Sequence, residues 1–370
     1  MSQDGGNFDP VGFGGQLPPQ LSQMTPEQML AAQMDPQNNA QQSSQGGDDS
    51  QLAPVFNEKD LVRKTGRQRI IEFLKNHQCF DLLRTSGKVV VFDTSIPIQL
   101  AFYALVEHEM ECAPLWDSAS RRFQGLMTIS DYIHVVRSTS SAGQQDRLAR
   151  RTIQETLDAA EGQRMKQDGG FAACTVEQTL HAAAAALAQQ RVKFLPLVTP
   201  DGAAVMACVN EVDVLDYLVA TFREQRRLFE DSISSLNIGT YNNVCTVSQD
   251  QRLRDVLATL ERYDIQTVPV VDAGGAVRDV YAHSDFTFLA QATDPGEVEQ
   301  QLDMQVGEVL RGQRQRGAPN RLHTCSPQDT LQAIFELFAE VRFRVLVCVD
   351  AEQRCVGIVS VHDLLSYFTD

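Results

Sequence analysis

Apolar positions follow one order of spacings, repeated along most of this chain. An extended segment leads to a helix start marked by Ser, Thr, Pro or Asp. An amphipathic helix follows, then two short apolar strands about a turn, then a second helix that opens with an acid. The stretches SIPIQLAFYALVEH, TVEQTLHAAAAALAQQ, SQDQRLRDVLATLERY and SPQDTLQAIFELFAEV place apolar residues three and four apart, which predicts core-facing helices. The halves that follow them align as CAPLWDSASRRFQGLMTISDYIHVV, FLPLVTPDGAAVMACVNEVDVLDYL, TVPVVDAGGAVRDVYAHSDFTFLA and LVCVDAEQRCVGIVSVHDLLSYF. A period of roughly 70 to 80 residues exceeds that of ordinary solenoid repeats and suits a small duplicated domain. Each copy is an α/β (α+β) unit of the order β-α-β-β-α. Its half-exposed sheet needs a partner, so the copies are expected to pair, first with second and third with fourth.

The pattern divides the chain. Residues 1–56 are rich in Gln, Gly, Asp, Ser, Asn and Pro with few aliphatics; too little apolar area offsets the entropy of ordering, and a disordered tail is expected. The repeats are expected over 57–138, 167–222, 223–292 and 293–370. Between the first two, 139–166 contains RLARRTIQETLDAAEGQRM, a mixed-charge helical linker that reads as a solvated connector. Arg147, Arg150 and Arg151 would otherwise face a partner or a phosphate.

Charge changes the picture by exclusion. The formal net charge is −16, the opposite of what a nucleic-acid surface requires. The tail contributes much of it, because no Lys or Arg precedes Lys59 while Asp4, Asp9, Glu27, Asp35, Asp48 and Asp49 do. The eight cysteines form no C-x-x-C pair and mostly sit in apolar runs, reading as reduced core residues with no metal role. The start MSQDGGNFDP is not a secretory signal, and no apolar run reaches the roughly 20 residues of a membrane span. A cytoplasmic or nucleocytoplasmic address follows, with neither nucleic acid nor membrane as partner.

In each copy the last strand ends at Thr128, Asn210, Ala282 or Ser360, and an acid stands three places on: Asp131, Asp213, Asp285 and Asp363. Thr or Ser followed by Asp at that spacing suits a variant capping box, worth about 0.5–2 kcal/mol. An Asp at a helix start also suits the cis-diol of a ribose, with main-chain amides and the helix dipole favouring a phosphate beside it. Asp285 lacks a hydroxyl three places upstream, which leans towards the ligand role. The cap and ligand readings both stand on the residues alone. There is no P-loop, dinucleotide fingerprint, H-E-x-x-H or kinase catalytic set, and no nucleophile with a base. An enzyme is not expected.

The stretch KNHQCFDLLRTSGKVVVFDTS followed by CAPLWDSASRRFQGLMTISDYI, together with LNIGTYNNV, VPVVDAGGAVRDVYAHSDF and GIVSVHDLL, resembles the gamma subunits of AMP-activated protein kinase, built from four tandem cystathionine-β-synthase (CBS) modules. The similarity covers about Val62 to Asp370. It implies a disc of two module pairs that binds AMP, ADP or ATP as ligands in central clefts, without a further cofactor. It also implies a catalytic alpha subunit and a scaffolding beta subunit as partners. Carried over, Asp131, Asp285 and Asp363 match ribose-binding acids, with Asp213 in the corresponding place where animal members commonly carry Arg. Thr240 and Asn243 match a nucleotide-lining turn, and Thr128 and Ser360 match hydroxyls beside the sugar or phosphate. The basic set departs from the family: Glu111 replaces an Arg, Lys193-Phe194 a His-Arg pair, and His283 a Lys, while Arg344-Val345 fills the fourth-module pair. Lys193, His283 and Arg344 are the phosphate candidates. An ionised Glu111 near 4 Å from a phosphate would repel it by about 4 kcal/mol at an effective dielectric of 20, so altered nucleotide affinity or AMP-over-ATP preference is expected. Two readings follow: an adenylate-sensing regulatory subunit, or an assembly subunit that no longer senses nucleotides. A CBS-regulated enzyme or transporter is disfavoured, because the repeats fill the folded chain.

Overall fold

The computed structural model describes residues 58–370 except 85–86, 139–149, 160–161, 163–164, 166–170, 190–191, 223–228, 284, 286–299, 318–319, 342 and 370. The expected tail over 1–56, Arg147 and most of the segment expected to be helical after Asp285 lie outside the described residues. Among the described residues there are four three-stranded sheets, each with a short parallel strand beside an antiparallel hairpin. They are β1 (Phe92–Asp93), β2 (Cys112–Asp117) and β3 (Arg122–Thr128); β4 (Cys174–Thr175), β5 (Leu195–Val198) and β6 (Val205–Val209); β7 (Val247–Ser248), β8 (Thr267–Val271) and β9 (Val277–Ala282); and β10 (Thr324–Cys325), β11 (Val345–Val349) and β12 (Cys355–Ser360). The hairpin register shifts at the same place in every copy, between Leu115 and Trp116, Leu197 and Val198, Val270 and Val271, and Cys348 and Val349. This shared irregularity ties the copies together as one unit repeated.

The helices are α1 (Glu58–Asn76), α2 (Ile98–Glu107), α3 (Ile129–Ser138), α4 (Ile153–Leu157), α5 (Leu180–Gln189), α6 (Glu211–Thr221), α7 (Leu253–Arg262), α8 (Val306–Gln315), α9 (Leu331–Val341) and α10 (Val361–Thr369). In each module the crossover helix (α2, α5, α7 or α9) buries the apolar stripe its sequence predicts. Ile98, Ala101, Phe102 and Leu105 do so in α2, and Leu331, Ile334, Phe335 and Phe338 in α9. Among the described residues no helix is long and apolar enough to cross a membrane.

Each crossover helix begins by exchanging main-chain hydrogen bonds with a segment from outside its own module. Ile98 donates to the carbonyl of Arg151 at 3.0 Å and Ile153 to that of Ile96 at 3.0 Å. The same exchange joins Leu180 to His77 (2.9 Å), Leu253 to Met304 (2.9 Å) and Leu331 to Asp231 (2.9 Å). The first and third modules take their segment from downstream, the second and fourth from upstream. These bonds satisfy amides that a helix start leaves unpaired. They also correct the reading of the connector as solvated: Thr152 caps α4 by accepting from the amide of Glu155 at 3.1 Å, and Ile153 and Leu157 are fully buried in the first module's core.

Cores cross module boundaries. One combines Ile70 and Leu74 of α1 with Leu180 and Leu187 of the second module and Phe335, Leu365 and Phe368 of the fourth. Ile133 of α3 packs into the third module's core beside Leu257 and Leu260. The sheets of the first two modules meet at Cys112, Leu126 and Phe194, and those of the last two at Val277, Val280 and Val347. Buried apolar surface therefore links first to second, third to fourth, first to third and second to fourth. Cys79, Cys112, Cys174, Cys325 and Cys348 are buried, as their apolar neighbours suggest.

Candidate functional site

The turn that follows each module's last strand is built the same way. The main-chain amide three residues ahead of the acid donates to its Oδ2: Thr128 to Asp131 at 2.7 Å, Asn210 to Asp213 at 2.9 Å, Ala282 to Asp285 at 2.8 Å and Ser360 to Asp363 at 2.7 Å. Thr128 and Ser360 add their hydroxyls to the same oxygen at 2.6 Å. Asn210 caps α6 through its side-chain oxygen, which accepts from the amide of Val212 at 2.8 Å. The capping box at Asp285 is thus reduced but intact on its backbone side, which removes the reason to favour a ligand role for Asp285 above the others.

The acids differ in what their second oxygen meets. Asp213 Oδ1 accepts from Arg84 at 3.1 Å. Asp285 Oδ1 is held by Arg321 in an ion pair, and this carboxyl is only 4% exposed. Burial pushes its pKa above the ordinary value, with Arg321 pulling the other way.

Two adjoining cavities lie where the modules meet, of about 530 and 420 Å³, within the size range of small-molecule sites. Thr128, Ser130, Phe194 and His283 line both. The larger takes Asp131, Lys193, His134 and Glu261 on its polar side and Leu257, Leu260 and Ile265 on its apolar side; His134 and Glu261 are paired there. The smaller takes Asp213, Arg84, Arg321, Arg344 and Glu111. Arg344 donates to Glu111 at 2.5 Å and stands over the Phe194 ring, 5.0 Å from its centroid.

Of the residues singled out from sequence, the structure gathers Thr128, Asp131, Lys193, His283, Asp213 and Arg344 on these walls. Asp285 sits behind Arg321. Ser360, Asp363, Thr240 and Asn243 line neither cavity; Thr240 instead pairs with Ile358 of β12, and Asn243 has a left-handed backbone with φ of 53°. Arg84, Arg321, His134, Glu261 and the ring of Phe194 were not anticipated as wall residues. Arg321 reaches Asp285 across 36 positions of chain, a pairing that no local spacing signals.

An apolar flank, a carboxylate fixed at a helix start and a nearby cation can together hold a flat heterocycle, a diol and an anion. A CBS-domain family profile matches residues 320–370. The gamma subunit of 5'-AMP-activated protein kinase from Dictyostelium discoideum is 29% identical over 329 residues, covering 86% of this chain and 56% of that protein. The human gamma-3 subunit is 29% identical over 319 residues, covering 84% of this chain and 63% of that protein. The chain thus spans less than two thirds of the length of these relatives. A solved structure from Methanocaldococcus jannaschii, described as an archaeal homologue of the same subunit, superposes with a TM-score of 0.63 at 18% identity. It covers 79% of this chain and 99% of that one, a likeness of fold. The chain is a homologue of 5'-AMP-activated protein kinase gamma subunits, assembled from CBS modules.

Proposed function

We propose that this protein is a non-catalytic regulatory subunit that binds adenine nucleotides and sets the activity of an AMP-activated-type serine/threonine kinase, partnered by a catalytic alpha and a scaffolding beta subunit. The observation that carries the reading is the placing of Asp131 and Asp213, two of the repeated acids, on the walls of adjoining cavities. Lys193 lines the same cavity as Asp131, and Arg344 the same cavity as Asp213. AMP or ADP bound there would favour one kinase state over another, and a coupling of about 1–3 kcal/mol corresponds to roughly 5- to 150-fold in affinity.

A second reading, an assembly subunit without nucleotide sensing, is favoured by the internal pairing of Arg344 with Glu111 and of Arg84 with Asp213. Calorimetric titration of the protein, co-expressed with its kinase partners, with AMP and ATP separates the two. Asp131→Ala and Asp363→Ala remove the same cap, but only the first opens onto the larger cavity. Saturable binding lost in Asp131→Ala and kept in Asp363→Ala supports the sensor. Equal, purely structural losses in both, or no binding to the assembled complex, support the assembly subunit.

A further inference from the structure

Six charged side chains line the smaller cavity: Arg84, Arg321 and Arg344 against Glu111, Asp213 and Asp216. Each arginine has a carboxylate in contact: Arg84 with Asp213, Arg321 with Asp285, and Arg344 with Glu111. The wall is therefore charge-compensated, and a polyphosphate entering it meets no net cationic field. The three pairs are not equally open to exchange. Arg321 holds the buried Asp285, whose ionised form needs a partner. The Arg84 side chain is 75% exposed, so its ion pair with Asp213 is screened by solvent and holds it only weakly at the wall. Arg344 is the fixed cation, 23% exposed and seated on Phe194. Its carboxylate partner Glu111 is 53% exposed and can turn into solvent without losing hydration.

We propose that Glu111 is the specificity-determining residue of the smaller cavity, competing with a ligand phosphate for Arg344 and grading affinity by ligand charge. One phosphate takes Arg344 as Glu111 swings out. Each further phosphate adds repulsion from Glu111, Asp213 and Asp216 without gaining a fixed cation. The class of ligand that fits is a nucleoside monophosphate, with triphosphates disfavoured. This rests on reading the cavities as adenine-nucleotide sites.

The test titrates adenosine, AMP and ATP, in magnesium-free buffer of low salt at about pH 8, into four forms of the protein. These are the parent, Glu111→Gln, Glu111→Gln with Arg344→Gln, and Glu177→Gln as an exposed control of the same charge change. The parent is expected to bind AMP more tightly than ATP. Glu111→Gln should leave adenosine within about twofold, tighten AMP about threefold and ATP about tenfold, with the gains shrinking as salt rises. The gains should vanish with Arg344→Gln, and Glu177→Gln should show none. Equal gains for all three ligands, or none while nucleotides still bind, would overturn the role of Glu111 and leave the nucleotide reading intact. Absence of binding to every form would overturn that reading and this inference with it.

Discussion

Asp285 shows how one motif position acquires different chemistry in each copy. Its counterparts Asp131, Asp213 and Asp363 are part-buried, whereas Asp285 is almost wholly enclosed and depends on Arg321. A buried carboxylate stripped of its cation costs about 3–5 kcal/mol, so Arg321→Met is expected to lower thermal stability more than most surface substitutions. The pH dependence has a definite sign. Burial raises the folded pKa of Asp285 above about 3.8, so the native state binds more protons than the unfolded one in the window above that value. There, stability falls as pH rises. Removing Arg321 takes away an opposing influence and raises the pKa further, which carries the loss to higher pH. The Arg321→Met melting temperature should therefore fall further below the parent at pH 7.5 than at pH 5, measured by circular dichroism. A deficit that does not widen with pH would show that Asp285 is not the group left unpaired.

At the scale of elements, the segment Ile238-Gly239-Thr240-Tyr241 illustrates what a family motif does physically. Gly239 adopts φ of +105°, and a Cβ on it would lie 2.8 Å from the carbonyl oxygen of Ile358. That close approach lets Thr240 exchange main-chain hydrogen bonds with Ile358 at 2.8 and 2.9 Å. The hydroxyl of Tyr241 donates to the carbonyl of Ile238 at 2.7 Å, and its ring covers Gly357. Gly239→Ala meets both a disfavoured backbone region and a main-chain clash, so a loss of about 1–3 kcal/mol is expected, read from urea unfolding. A change under a few tenths would mean that the loop relaxes away from β12. The motif was legible as a family mark; resemblance offered Thr240 as a lining residue, yet it lines neither cavity, and its structural work depends on a strand more than a hundred positions away. The same distinction runs through the chain. Helix stripes such as Leu331, Ile334, Phe335 and Phe338 were readable because they obey a local period, and the acids at helix starts because capping is local. The pairings Arg344 with Glu111 and Arg321 with Asp285 were not, since long side chains from separate modules meet only after the modules pack. Even α4 was misread as a solvated connector, because its mixed charge hides Ile153 and Leu157, which face a core contributed by first-module residues from Phe92 to Val135.

For the whole molecule, the exchanged segments and shared cores argue for one cooperative unit. No module closes its own crossover helix: the amide of Leu180 needs His77, and that of Leu331 needs Asp231. Nor does either module pair close its own core, because α10 of the fourth module packs on α5 of the second, and Ile133 of the first enters the core of the third. Unfolding one module would expose apolar surface on its neighbours and remove caps from their helices. Leu365, fully buried in the core shared by the second and fourth modules, and Ile153, fully buried in the first, then report on the same equilibrium. Truncating either to Ala is expected to cost about 2–5 kcal/mol and to shift a single calorimetric transition, leaving the ratio of van't Hoff to calorimetric enthalpy near one. Two transitions, one moved by Leu365→Ala and the other by Ile153→Ala, would show that the shared surfaces are too weak to couple the modules. A single transition would also mean that any ligand bound at the first module stabilises the fourth. A ligand at one cleft could then alter a partner surface at another without a dedicated pathway between them.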